Sequence, residues 1–245
     1  MRLKVELLPR AGETDVVVLV DVLRATTAAP ILLAGRERLW ITPSLRAARD
    51  FAAARDLRLA GEREGLPPEG FHYSASPAEL LKTRFERDIV LTTENGPRAL
   101  AALHLDQQRP RHVLLGSFYN ARAVAETAVG LATEGITLVC AGLSGGEAIE
   151  DVVCAGFLTR RIEKLTSTEP GESVRLAQAL QRAYADPQEA LAQSESGQML
   201  MRLGLHEDLA IASLVSQSEV VPQLAEVVTY EGQPLFAFRA AGLGA

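Results

Sequence analysis

Short apolar runs recur along this chain. Each is followed by a polar segment carrying Gly, Ser, Thr or Asn, and then by residues with helical spacing. No other feature limits the fold as tightly, because repeated strand–helix alternation implies a mostly parallel sheet with helices on both faces. The sharpest run, Val16-Val17-Val18-Leu19-Val20, reads as a strand buried on both faces. Residues 39–42, 57–60, 88–91, 112–115 and 136–140 read as further strands, and residues 3–8 as a first edge strand. Ser44 is placed to cap a helix over 44–55. Ser76-Pro77-Ala78-Glu79 opens another, with a capping Ser, Pro at the first position and Glu three residues on. Helices are expected over 28–35, 98–104, from residue 121 to 133, and over 148–165.

From Glu169 the pattern changes. Helical segments are expected near 172–183, 187–194, 198–203 and 206–214. Two closing strands follow, 220–228 and 235–238, joined through a Glu231-Gly232 turn. The expected class is α/β, with a core over 1–168 that carries the motifs. Residues 169–245 form a helical extension with closing strands, packed on the core rather than independent.

The chain is 47% apolar and 23% charged, with a net charge of −6. That balance suits a soluble globular protein and argues against a nucleic-acid binder, which shows a basic face. No apolar run approaches the ~18 residues of a membrane span, and the N-terminus lacks a signal-peptide apolar region. Cys140 and Cys154 sit among apolar neighbours, which points to reduced thiols and a cytoplasmic protein.

The polar segments carry the functional signal. Those at 21–27, 61–65, 92–98, 116–120 and 141–151 each follow an expected strand, and in one parallel sheet those ends share one edge, where ligands bind. Asp21, Arg24, Thr26, Thr27, Glu62, Arg63, Thr92, Thr93, Asn95, Arg98, Ser117, Asn120, Glu150 and Asp151 then border one crevice. Acids suit a hard divalent cation such as Mg²⁺, and arginines, hydroxyls and helix N-termini suit phosphate. Together they are equipment for phosphoryl transfer. A plainer reading stands beside this one: Thr26 or Thr27 caps a helix, Asp21 is a turn residue, and strand-to-helix junctions carry Ser, Thr, Asn and Asp simply as caps.

Known phosphate motifs do not match. Gly142-Leu143-Ser144-Gly145-Gly146 lacks the following Gly-Lys-Ser/Thr of a Walker loop. Asp21-Val22-Leu23 has Leu where an aspartyl-nucleophile phosphatase has its acid–base Asp. Cys154 and Arg160 have a cysteine-phosphatase spacing, but Cys154 falls in mid-helix and reads as a buried structural thiol. His72 lies beside the long 61–71 loop. No His/Cys group has zinc spacing.

Taken together, the motifs resemble the 2-phosphosulfolactate phosphatase family. They are Val20-Asp21-Val22-Leu23-Arg24-Ala25-Thr26-Thr27, Ala60-Gly61-Glu62-Arg63, Glu69-Gly70-Phe71, Ser76-Pro77, Thr92-Thr93 with Asn95-Gly96 and Arg98, Gly116-Ser117-Phe118 with Asn120-Ala121, Cys140-Ala141-Gly142, and Glu150-Asp151 with Cys154-Ala155-Gly156. Ser196-Gly197, Leu203-Gly204, Asp208 and Val221-Pro222 match more faintly. The resemblance implies a three-layer α/β/α fold and a Mg²⁺-dependent hydrolase that releases phosphate from 2-phosphosulfolactate, a step towards coenzyme M. Asp21, Arg24 and Glu62 are then the expected catalytic residues. Asp21, Glu62 and Asp151, with Glu150 as a weaker candidate, are the acids expected to hold Mg²⁺. Arg63 and Arg98 are expected to neutralise the substrate's anionic groups, and Thr26, Thr27, Thr93, Asn95, Ser117 and Asn120 to supply hydrogen bonds. The nucleophile is a metal-activated water or Asp21 itself. Glu64, Ser74-Ala75 and Pro97 depart from the family pattern. A phosphatase for another small phosphorylated acid or sugar, and a non-catalytic anion-binding module, are the competing readings. The helices over 172–214 are candidates to cover the site or to form a homodimer contact.

Overall fold

In the computed structural model, which describes residues 1–10, 14–103, 105 and 110–242, the Val-rich run lies between two parallel neighbours near the middle of a large sheet. In chain order the first elements are β1 (Arg2–Glu6), β2 (Val16–Val20), α1 (Ala25–Leu33), β3 (Leu39–Ile41), α2 (Leu45–Arg55), β4 (Arg58–Gly61), α3 (Pro77–Leu80), β5 (Ile89–Thr92) and α4 (Gly96–Ala102). There follow β6 (His112–Gly116), α5 (Ala121–Leu131), β7 (Gly135–Cys140), α6 (Ile149–Leu165), β8 (Glu169–Pro170), α7 (Glu172–Ala183), α8 (Pro187–Gln193), α9 (Glu195–Arg202), α10 (His206–Ser213), β9 (Pro222–Tyr230) and β10 (Gln233–Ala240). The class is α/β, with a mostly parallel sheet flanked by helices. No helix among the described residues is long and apolar enough to cross a membrane.

The strand order is β4-β5-β3-β10-β9-β6-β2-β7-β1-β8. β4, β5 and β3 form one parallel block, and β6, β2, β7, β1 and β8 form another. The two closing strands stand between the blocks, with β10 antiparallel to β3 and to β9, and β9 antiparallel to β6. Three antiparallel steps reverse the strand sense, so the blocks run oppositely. The expected mostly parallel sheet is present, but its parallel strands fall into two opposed blocks, so the expected single carboxyl edge is not. β1 is also not the edge strand expected over 3–8, because the two-residue β8 pairs outside it.

The carboxyl ends of the two blocks nevertheless converge, since residues following β2 and β7 and residues following β4 and β5 wall one cavity. Val17, Leu19, Val113 and Leu115 of the larger block share one core with Leu39, Ile41, Ile89 and Leu91 of the smaller, and with Ala28 and Leu32 of α1 and Leu100 of α4. Strand twist of about 20–25° per neighbour turns the sheet, and the register shift at Ala237/Phe238 adds to it. On its other face the larger block packs Val16, Val18 and Val20 against α5 and α6, in a cluster that also takes in Ala190, Leu200 and Leu209 of the C-terminal helices. α2 covers the smaller block through Phe51, Trp40 and Val90.

Local chemistry explains most element starts. Ser44 accepts from the N–H of Ala47 (3.2 Å) and Ser76 from that of Glu79 (3.2 Å), as capping predicts. α1 is a correction: it begins at Ala25, so Thr26 and Thr27 lie inside its first turn and neither caps it. The helix expected over 98–104 runs Gly96–Ala102, and His104 lies outside the described residues.

Candidate active site

A polar cavity of about 510 Å³ opens where the strand ends converge, walled by Arg24, Glu62, Glu94, Asn95, Ser144 and one side of α9. Behind it lies a group of buried carboxylates. Asp21 follows β2 directly and is 5% exposed; Glu150 and Asp151, in the first turn of α6, are 2% and 3% exposed. That helix start favours acids electrostatically.

Burial pushes the Asp21 carboxyl up to about 7. Backbone N–H groups of Ala25 and Gly96 pull it back, while the charges of Glu62 and Glu150 push it further up. Glycine at 96 permits this approach, since a Cβ there would lie 2.7 Å from Asp21 Oδ2. Asp151 is raised well above the usual range by burial and by its neighbours Glu150 and Asp21. It accepts from the N–H of Val22 (2.8 Å) and of Gly142 (3.1 Å), clamping the β2 and β7 loops together. Glu150 is raised mainly by burial, against hydrogen bonds from Ser196 and Ser194, and its Oε2 has no hydrogen-bond partner among the described residues.

Glu62 makes the matching clamp in the smaller block. Its Oε1 accepts from the N–H of Glu94 (3.0 Å) and its Oε2 from that of Gly65 (3.0 Å). Arg24 follows a cis Leu23–Arg24 peptide. Its Nη1 donates to Asp208 Oδ2 (2.7 Å) in a pair that is almost fully buried, and its Nη2 donates to the Gly65 carbonyl (2.7 Å). Asp208 Oδ1 in turn accepts from the Ser76 hydroxyl and the Ala78 N–H. One carboxylate of α10 thus joins α3 to the turn after β2.

The other expected site residues are placed differently. Thr26 Oγ1 donates to the Asp21 carbonyl (2.9 Å) and accepts from the Asp21 N–H (3.0 Å), and Thr27 Oγ1 donates to the Val22 carbonyl (2.9 Å). Both hydroxyls therefore serve the turn. Asn120 Oδ1 accepts from the Ser117 N–H (3.0 Å), and its Nδ2 donates to the carbonyls of Leu115 and Val220. Ser117 accepts from the N–H of Tyr119 (3.3 Å), so this pair shapes the β6–α5 junction. Arg63 donates to the carbonyls of Glu62 and Pro43 and to Thr92 Oγ1. Burial lowers its pKa despite Glu62 and Glu94, and the charge of Arg98 adds to that lowering. Arg98 is exposed and does not wall the cavity. Asn95 does wall it, and its Oδ1 accepts from the Ser144 N–H (3.2 Å). Thr93 is buried, and its hydroxyl has no partner among the described residues. His72 lies outside the cavity wall, its Nδ1 accepting from the Leu59 N–H (3.1 Å). Cys154 is in mid-helix, fully buried, with its thiol pushed well up by burial and by Asp151, so it is no nucleophile.

The sequence reading gave no role to Glu94, Ser194, Ser196, Arg202 or Asp208. Ser194 caps α9 by accepting from the Gly197 N–H (3.0 Å), a spacing visible in Ser194-Glu195-Ser196-Gly197. Asp208 is set apart from its exposed neighbour Glu207 only by the faint family match, since its burial comes from α3 and Arg24.

The orphaned Glu150 Oε2, among the repelling carboxylates of Asp21 and Asp151, suits a hard cation. The side chains form no preassembled set, since among the described residues no three His, Cys, Asp or Glu groups stand together as metal ligands.

The family model for 2-phosphosulpholactate phosphatase matches residues 3–227. A probable 2-phosphosulfolactate phosphatase of Thermus thermophilus is 42% identical over 228 residues, covering 91% of this chain and 94% of the relative. That of Deinococcus radiodurans is 40% identical over 227 residues, covering 91% and 93%. That of Pseudothermotoga lettingae is 30% identical over 218 residues, covering 88% and 92%. With a match of this length and relatives of this similarity, the chain belongs to the 2-phosphosulpholactate phosphatase family.

Proposed function

We propose that this protein hydrolyses the phosphate monoester of 2-phosphosulfolactate, giving sulfolactate and inorganic phosphate, and that Mg²⁺ supports the reaction. The observation that carries this reading is the group of buried, mutually repelling carboxylates, Asp21, Glu150 and Asp151, next to the cavity wall residues Glu62 and Ser196, in a chain of this family. Such a group is costly unless a cation or proton compensates it. Asp21, Asp151, Glu150 and Glu62 are the residues proposed to hold Mg²⁺, which when bound supplies charge neutralisation for the phosphoryl oxygens.

The chain's own groups account for the rest. The Asp21 carboxyl is the group proposed to receive the proton of the attacking water. Arg24, held rigidly by Asp208 and the Gly65 carbonyl, presents positive charge to the developing phosphoryl charge. α9 forms part of the cavity wall through Glu195, Ser196 and Met199. The setting proposed is cytoplasmic, with a small anionic substrate, as a step towards coenzyme M. A homodimer through the α7–α10 region, where Leu176 is exposed, belongs to the same proposal and is read by solution mass.

The test is phosphate release from 2-phosphosulfolactate beside a panel of small phosphomonoesters, each with Mg²⁺ and with EDTA. Turnover of phosphosulfolactate that EDTA abolishes is the expected result. Turnover of another ester alone would keep the chemistry and replace the substrate. Binding of phosphate esters with no turnover of any would replace the enzyme with an anion-binding module.

A further inference from the structure

We propose that Arg202 selects substrates carrying a second anionic group beside the phosphate, by pairing with that group in the cavity that Arg24 also walls. This rests on the phosphatase reading of the same cavity.

Arg202 is the last residue of α9, and Glu195, Met199 and Arg202 recur at helical spacing along the side of α9 that walls the cavity. Acids dominate the remaining charge: Glu62, Glu64, Glu94 and Glu195 all wall the space. A substrate with phosphate, carboxylate and sulfonate groups entering there meets repulsion, so each available cation matters. Arg24 is committed, its two terminal nitrogens donating to Asp208 and to the Gly65 carbonyl. Arg63 is spent on Pro43, Glu62 and Thr92, and Arg98 is outside the cavity wall. Arg202 alone among the cations of the wall makes no hydrogen bond or ion pair with the described residues. It is exposed, so its guanidinium stays hydrated and mobile until a ligand arrives. A planar fork of donors matches a carboxylate or sulfonate in a two-point contact, which a neutral alcohol cannot accept with charge assistance.

The experiment is calorimetric binding of sulfolactate and, separately, of inorganic phosphate, to the full chain with Mg²⁺ present. Wild type is compared with Arg202→Met and Arg202→Lys. Arg202→Met is expected to weaken sulfolactate binding by about 10- to 100-fold and phosphate binding by less than about twofold; Arg202→Lys should recover part of the loss. Because Arg202 is exposed, an unchanged Tm is the control for folding. Equal weakening of both ligands, or no weakening of sulfolactate, overturns the proposal, as does a wild type that binds phosphate but not sulfolactate. A wild type that binds both, shows the expected Arg202 effect and yet releases no phosphate from phosphosulfolactate leaves the selectivity standing and removes the phosphatase reading.

Discussion

The two ends of β2 carry the same residue type in opposite circumstances. Asp15 precedes the strand and Asp21 follows it, and both are buried, at 1% and 5% exposure. Burial alone raises the pKa of each. At Asp15 that push is outweighed: its carboxylate accepts from the N–H and hydroxyl of Thr133 (2.6 and 2.7 Å) and from the N–H groups of Glu134 and Gly135 (3.1 and 2.8 Å), which hold it well below the usual range. At Asp21 burial is met by weaker hydrogen bonds and by like charges, and the carboxyl rises to about 7. One acid ties the β2 entry to the α5–β7 turn. The other, pushed up by burial and like charges, is the acid proposed to act in catalysis. Proton affinity, not burial or residue type, separates the two acids, and a raised value marks Asp21 as the candidate for function.

The largest expected effect comes from removing the functional acid. Asp21→Asn should cut phosphate release by at least about a thousandfold, and retention of more than about a tenth would end the distinction between the two ends. Asp15→Asn should leave kcat within about threefold of wild type.

Breaking the buried Arg24–Asp208 pair comes next. Asp208→Ala should cost about 3–5 kcal/mol in denaturant unfolding, since it strands a buried guanidinium. Replacing both partners with apolar residues should restore much of the stability while leaving the enzyme inactive. Recovery of activity in that double variant would remove Arg24 from the chemistry.

Stability against pH sharpens the comparison further. Asp15, with its folded pKa depressed, contributes stability that is present above about pH 4 and lost as pH falls. Asp21, with its folded pKa raised from 3.8 to about 7, behaves oppositely: protonation favours the fold, and that contribution is lost as pH rises through about 7. At pH 8 in EDTA, Asp15→Asn should therefore destabilise by about 2–3 kcal/mol, whereas Asp21→Asn should stabilise by about 1–2 kcal/mol. A thermal melt of each checks the signs, and equal signs would refute the electrostatic contrast. The smallest effect is a coupling: Glu62→Gln and Glu150→Gln should each lower the Asp21 pKa in a carboxyl NMR titration, because each removes a like charge.

Much of the element order was legible in the chain itself. Val16–Val20 is the buried strand its composition demands, and Ser44 and Ser76 cap the helices their spacing announces. β8 was not legible, because two residues ending in Pro170 carry no period. Thr26 and Thr27 show why the polar junctions mislead. Their hydroxyls satisfy the β2–α1 turn, and composition alone cannot say whether a hydroxyl faces the backbone or a ligand. Asn120 and Ser117 repeat the point at the β6–α5 junction.

The sequence by itself determined most of the strands and helices, and that acids and arginines follow the strands, because periodicity and capping are local properties of the chain. Only the tertiary structure decided that β9 and β10 enter the middle of the sheet and reverse one parallel block against the other. It alone committed Arg24 to Asp208 and brought Arg202 to the cavity. Strand pairing and charge proximity join residues far apart in sequence, and no local pattern records such partners.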